Sequence, residues 1–106
     1  MAYDEIRIYG EIEGIGAEHD ATLTAQFPEM RFTRAGRTVQ LEFEGAFFFI
    51  EDYIEVLRPR LDADASGQID YIDHHAWEMQ RFRFQGNDCT CRTVNLNDVL
   101  ERYNRE

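Results

Sequence analysis

The chain has 106 residues and 43% apolar content, which suit a single domain with one hydrophobic core. Its 21 acidic residues oppose 11 basic residues, all of them arginine, for a net charge of −10. Because a phosphate backbone repels such a surface, direct binding of nucleic acid is not expected. The absence of lysine also excludes a P-loop lysine, a Schiff base and a Ser-Lys dyad.

The N-terminal sequence lacks the features of an export signal. Met-Ala-Tyr-Asp-Glu-Ile has no basic region and no long apolar run, and no stretch approaches the ~20 apolar residues of a membrane span. We therefore expect a cytoplasmic protein. Cys89 and Cys91 are close neighbours on one predicted strand, where a disulfide between them would be strained, so reduced thiols are expected.

The N-terminal part of the chain predicts four strands. Residues 3–13 alternate between apolar and polar side chains, which is typical of a half-buried strand. Residues 22–27 alternate in the same way, and Pro28 ends this second strand. Residues 30–44 predict a hairpin, because Gly36 favours a turn between two alternating runs.

A change of period then predicts the main helix. From Ala46 onward apolar residues repeat every three to four positions, and Pro59 ends the pattern. We predict one main amphipathic helix over residues 46–58, packed across the sheet. Its apolar stripe comprises Phe47, Phe49, Ile50, Tyr53, Ile54, Val56, Leu57 and Leu61.

The C-terminal part predicts a second hairpin over residues 81–94 and a short helix capped by Asn95 or Asn97. The fold class is therefore α+β within a single domain, residues 1–106. We expect an antiparallel sheet of about six or seven strands, the helix 46–58 packed on it, and the short C-terminal helix.

One local motif has a chemical interpretation. Oxygen-bearing residues occupy alternate positions from Asp62 onward, with Gly67 sixth and Asp73 twelfth. This spacing resembles the calcium loop of the EF-hand family, in which hard oxygens bind Ca²⁺ and the glycine makes a sharp turn. The resemblance covers twelve residues and implies a weak divalent-cation site, because the last ligand is aspartate instead of glutamate. The implied ligands are Asp62, Asp64, Ser66, Gln68, Asp70 and Asp73.

The alternative for this stretch is a simple turn, since Asp, Ser and Gly are good turn formers. A second metal hypothesis combines His74 and His75 with Cys89 and Cys91 as soft ligands for zinc. Its alternative is a pair of thiols beside surface histidines. No pattern marks a nucleophile or a carboxylate pair with a raised pKa, so we expect a protein that is not an enzyme.

The strands also predict an acidic surface. If strands 3–13 and 37–45 are neighbours, four glutamates share one face of the sheet. Repulsion between them would be relieved by a cationic partner. We therefore predict a non-enzymatic module that binds a basic protein, in the manner of an inhibitor, an immunity-type protein or a nucleic-acid mimic. The candidate contact residues are Glu11, Glu13, Glu42, Glu44, Asp62, Asp64 and Asp70.

Two alternatives to this surface stay open. Arginines could interleave with the glutamates and neutralise them locally, at positions 7, 31 and 37. The acidic composition could instead reflect salt adaptation, without a special partner. A homodimer through exposed aromatic residues is a further hypothesis, with Tyr3, Tyr9 and Trp77 as candidates.

Overall fold

The computed structural model describes residues 5–97, which form an antiparallel sheet and two short helices. The strands are β1 (Ile6–Ile15), β2 (Arg31–Ala35), β3 (Thr38–Gly45), β4 (Leu61–Asp73), β5 (Glu78–Gln85) and β6 (Asp88–Asn95). The helices are α1 (Asp20–Gln26) and α2 (Ile50–Leu57), with 3-10 turns at Ala17–His19 and Arg58–Arg60. The order across the sheet is β2-β3-β1-β4-β5-β6. The α+β class and the antiparallel sheet are thus confirmed, with six strands in the described part of the chain.

The core lies on one face of this sheet, called here the inner face. β1 pairs with β3 on one side and β4 on the other, so Ile8 lies opposite Phe43 and Ile12 lies opposite Val39. Period-two alternation places every second side chain of each strand on this face. The buried residues in the same cluster include Ile6, Leu41, Ile69, Phe82 and Phe84 from the sheet and Leu23, Phe48, Tyr53 and Leu57 from outside it.

The predicted main helix over residues 46–58 is wrong in its extent. The helix begins at Ile50, has eight residues and is one of two short helices. Before it, burial alternates: Phe48 is 5% exposed, whereas Phe47 is 60% and Phe49 is 65% exposed. The extended backbone of residues 46–49 inserts Phe48 into the core, 4.9 Å from Phe43 between ring centroids. Three consecutive phenylalanines fit either period, and the sequence does not show which one is buried.

The predicted strand over residues 22–27 is also wrong, because this stretch forms α1. Leu23 is buried and Phe27 packs edge-on against Tyr53, with ring centroids 4.7 Å apart. Because they are four residues apart, both lie on one face of a helix and can pack into the core, just as they could from one face of a strand. Thr24 adds a hydrogen bond from its hydroxyl to the Asp20 carbonyl oxygen, at 2.9 Å.

The predicted acidic loop over residues 62–73 is instead part of β4. From Ser66 to Asp73 this strand pairs with both β1 and β5, and the two ladders outweigh the local turn preference. Gly67 is required here by close packing instead of a turn. A Cβ at this position would collide with the Glu11 carbonyl oxygen and lie 2.7 Å from the Ile12 Cα.

Both predicted hairpins are present, with two-residue turns between β2 and β3 and between β5 and β6. The C-terminal helix predicted from Asn95 or Asn97 falls mainly on residues 98–106, which lie outside the described residues. Across residues 5–97, the helices are all too short to traverse a lipid bilayer.

Candidate functional site

The opposite, outer face of the sheet carries the predicted glutamates. Glu42 and Glu44 lie on β3, and Glu11 and Glu13 lie on the neighbouring β1. We call these four residues the acidic strip. The register staggers them: across the β1–β3 pair, their neighbours are Tyr9 for Glu42, Arg7 for Glu44, Gln40 for Glu11 and Thr38 for Glu13. On its other side, Glu42 lies opposite Arg31 of β2. All four share one surface, but no two of them lie directly opposite each other across the β1–β3 pair.

The acidic strip is exposed and only partly neutralised. Glu44 lies 4.0 Å from the Arg7 guanidinium, and Glu11 accepts a hydrogen bond of 3.4 Å from Gln40. Within residues 5–97, Glu13 and Glu42 have neither an ion pair nor a side-chain hydrogen bond. Two of the four carboxylates are thus left to solvent or to a partner.

Two of the predicted aspartates are held by one arginine. The Arg37 guanidinium donates to Asp64 at 2.9 Å and to Asp62 at 3.3 Å. The hydrogen bond from Arg37 lowers the pKa of Asp64, and the charge of Arg37 adds to this effect. Arg37 extends from the turn between β2 and β3 across to β4. Arg37 therefore neutralises aspartates of β4, and not the glutamates that the alternative above assigned to it.

The third aspartate is bound still more closely. Asp70 accepts two hydrogen bonds from Arg81, at 2.8 and 3.0 Å, and its side chain is only 17% exposed. Such a bidentate arginine–carboxylate pair fixes both side chains. Asp62, Asp64 and Asp70 thus form local pairs, whereas the acidic strip supplies the carboxylates that are open to a partner.

An aromatic side chain lies beside the acidic strip. Tyr9 is 41% exposed and sits between Glu42 and Asp70 in the register. It lines a shallow depression of about 640 Å³ together with Glu11, Gln68, Asp70, Arg83 and the backbone of two glycines. The sequence predicted Tyr9 only as a dimer candidate, but the alternation that puts Glu11 on this face puts Tyr9 there too.

The outer face is polarised across its width. The four glutamates of the acidic strip occupy β1 and β3 and outnumber their cross-strand arginines Arg7 and Arg31, whereas Arg81 and Arg83 lie on β5 and Arg92 lies on β6. Arg81 lies opposite Arg92, and its charge is partly offset by Asp70. A cationic ligand is therefore attracted to the half of the face that contains β1 and β3.

The structure does not bring the predicted calcium ligands together. Asp62 and Asp64 contact Arg37, Asp70 contacts Arg81, and Asp73 accepts hydrogen bonds from the amides of the following turn. Ser66 and Gln68 lie along β4 with backbone partners on both sides. In the described range, no three His, Cys, Asp or Glu side chains are placed to hold a metal ion. Calcium binding stays a prediction, and the strand gives it no geometric support.

The hypothetical zinc ligands also lie apart. His74 and His75 belong to the turn before β5. Cys89 and Cys91 lie on β6, opposite Phe84 and Phe82 near the other end of β5. Both cysteines are free, and burial raises the pKa of each thiol.

Two of the three aromatic dimer candidates, Tyr9 and Trp77, lie among the described residues, and these two do not form one patch. Trp77 lies in the turn before β5, is 38% exposed and donates a hydrogen bond to Asn97 at 2.7 Å. Tyr9 lies in the middle of the sheet, and Tyr3 is outside the described residues.

Comparison of the chain with models of known protein families, with curated proteins and with solved structures gives no match in any of the three.

Proposed function

We propose that this chain is a small non-enzymatic binding module whose acidic strip and Tyr9 bind a basic surface of a partner protein. One observation carries the proposal: in the described part of the chain, Glu13 and Glu42 are exposed and form no ion pair. The candidate aspartates Asp62, Asp64 and Asp70, in contrast, each contact an arginine. Staggered carboxylates on adjacent strands present an array of acceptors at a rigid spacing.

The chemistry of this surface suits arginine and lysine side chains. A carboxylate accepts charge-assisted hydrogen bonds from a guanidinium, and the exposed ring of Tyr9 offers a face for a cation. The depression that Tyr9 and Glu11 line has a volume of about 640 Å³, which is large enough for one such side chain. The excess of carboxylates also accelerates the encounter with a basic protein. An inhibitor, an immunity-type protein or a mimic of nucleic acid would use the surface in this way.

The proposal is tested with two double variants that remove the same charge. Glu13→Gln/Glu42→Gln removes two open carboxylates, and Asp62→Asn/Asp64→Asn removes two that contact Arg37. Titration calorimetry with an arginine-rich peptide at low salt measures each affinity. We expect a loss of roughly fivefold or more in the first variant, as two exposed ion pairs would give, and a smaller loss in the second.

Equal losses in the two variants would show that net charge alone governs binding and would contradict the assigned site. The salt-adaptation alternative predicts a different result, namely stability that rises up to molar salt and no binding that salt disrupts. For the proposed contact, affinity falls as salt is added, because exposed ion pairs are screened.

A further inference from the structure

We infer that the open edge of β6 pairs antiparallel with β6 of a second copy of this chain, with Thr90 opposite Thr90 of the other copy. This interaction surface is separate from the acidic strip, which lies on β1 and β3. The inference does not depend on the proposed partner.

The two edges of the sheet differ in how they are protected. β2 is short, with five residues, and its Arg34 is tied to Asp20 of α1 by two hydrogen bonds of 2.7 Å. β6 has eight residues, contains no proline, and pairs with β5 in a continuous register without a bulge. Proteins usually block such an edge with a bulge, a proline or a covering element. Within residues 5–97, no other strand lies beside β6.

The backbone of β6 fixes which residues can bond across the open edge. Gln85 and Asp88 flank a two-residue turn, so they form a hydrogen-bonded pair and even-numbered residues of β6 direct their backbone groups toward β5. The amide of Leu96 follows this parity, donating to the Trp77 carbonyl oxygen at 3.1 Å. The amides and carbonyls of Cys89 and Cys91 therefore point to the open edge.

The sequence of β6 is complementary to itself in one antiparallel register. Residues 88–92 read Asp-Cys-Thr-Cys-Arg, so pairing about Thr90 puts Asp88 opposite Arg92 at both ends. Cys89 then lies opposite Cys91, which gives two hydrogen-bonded backbone pairs. Pairing about Cys91 would instead put Asp88 opposite Val94, and pairing about Arg92 would put the two arginines together. Opposite charges on neighbouring strands favour the first register.

The side chains that would meet are open to a second copy. Asp88, Thr90 and Arg92 are exposed, and in the described part of the chain neither Asp88 nor Arg92 forms an ion pair. Arg92 lies opposite Arg81 within the sheet, an unfavourable like-charge neighbour. Asp88 of the second copy, on the other side of Arg92, would offset that repulsion. The dimer would be a continuous sheet with one acidic strip in each half.

Charge exchange tests the register. Sedimentation equilibrium of the full chain should show a monomer–dimer equilibrium. Asp88→Arg and Arg92→Asp each create two like-charge contacts, and each should weaken the dimer about tenfold or more. The double variant Asp88→Arg/Arg92→Asp exchanges the charges and should restore the association. A chain that stays monomeric at every concentration up to about 1 mM would overturn the inference. Its dissociation constant would then exceed about 1 mM, so the association free energy would be weaker than about 4 kcal/mol. A dimer that neither single variant weakens would also overturn the inference.

Disulfide formation gives a second test that does not depend on charge. In this register Cys89→Ser and Cys91→Ser each leave a thiol opposite serine, but a mixture of the two variants puts Cys91 of one copy opposite Cys89 of the other. A hydrogen-bonded antiparallel pair has Cα atoms about 5.5 Å apart, within disulfide range, whereas diagonal pairs at about 7–8 Å exceed it.

The variants are oxidised with copper–phenanthroline in air, which accepts two electrons and two protons from each thiol pair. Mildly alkaline pH is used because burial raises the pKa of both thiols. Covalent dimer in the mixture, and little in either variant alone, supports the register. Efficient covalent dimer in Cys89→Ser alone would indicate pairing about Cys91 and overturn it, as would a mixture that does not cross-link.

Discussion

The segment before α2 offers a stability test with built-in controls. Phe47, Phe48 and Phe49 are consecutive and identical in type, but only Phe48 is buried, at 5% exposure against 60% and 65%. Its ring lies 4.9 Å from that of Phe43 and 5.9 Å from that of Tyr53. Replacing each of the three phenylalanines by alanine therefore removes the same atoms from very different surroundings.

The expected magnitudes follow from burial. A buried phenylalanine replaced by alanine costs about 3–5 kcal/mol, through lost transfer free energy and the cavity that remains. Domains of this size have unfolding free energies of about 5–15 kcal/mol, so Phe48→Ala removes a large share. The melting temperature should fall by about 12 °C or more. Phe47 and Phe49 are exposed and pack against each other, with ring centroids 4.5 Å apart, so each alanine variant should cost about 1 kcal/mol or less.

Urea unfolding followed by circular dichroism measures all three variants, and equal m-values would allow their midpoints to be compared directly. Phe48→Leu keeps most of the volume and gives a measurable protein if the alanine variant does not fold. A helix beginning at residue 46 would instead bury Phe47. A loss at Phe47 as large as that at Phe48 would therefore refute the extended arrangement of residues 46–49.

Three further outcomes are expected from the structure. Tyr53→Phe should leave stability unchanged or raise it by about 1 kcal/mol in thermal unfolding, because the buried hydroxyl has no hydrogen-bond partner among the described residues; a clear loss would mean that the hydroxyl is bonded. Gly67→Ala should lower the unfolding free energy by about 2 kcal/mol or more, because a Cβ there meets the backbone of β1; near-neutral stability would contradict the close approach of β1 and β4. Arg37→Gln should raise the pKa of Asp64 in a carboxyl NMR titration, since Arg37 lowers it. Because the folded-state pKa of Asp64 lies below its unfolded value, the pair stabilises the fold above the unfolded pKa, and this contribution is lost as the pH falls through the folded-state pKa. An unchanged titration would show that the pair does not form.

The strands were predictable where alternation and a turn residue agree. Gly36 and Gly86 each lie in a two-residue turn between alternating runs, and both hairpins are present. The face of β1 that carries Glu11 and Glu13 follows from the same alternation. The position of β1 between β3 and β4 depends on long-range pairing, which the sequence does not reveal.

The incorrect or missing predictions arose where the same residues suit more than one structure, or where a contact joins distant parts of the chain. Leu23 and Phe27 suit one face of a strand and one face of a helix, and the contact with Tyr53 selects the helix. Gly67 suits a turn, but the close approach of β1 to β4 gives it a different role. Arg37 and Arg81 were not assigned to particular carboxylates, because their partners are distant in the sequence or across a hairpin.

Amide chemical-shift mapping tests the proposed binding surface most directly. The ¹⁵N-labelled chain is titrated with an arginine-rich peptide at low salt, and the shifts are compared along the sheet. We expect the largest changes at Tyr9, Glu13 and Glu42, with much smaller changes at Asp62 and Asp64, whose carboxylates already contact Arg37. Changes centred on those aspartates, or spread evenly over every acidic residue, would contradict a dedicated cation-binding strip on β1 and β3.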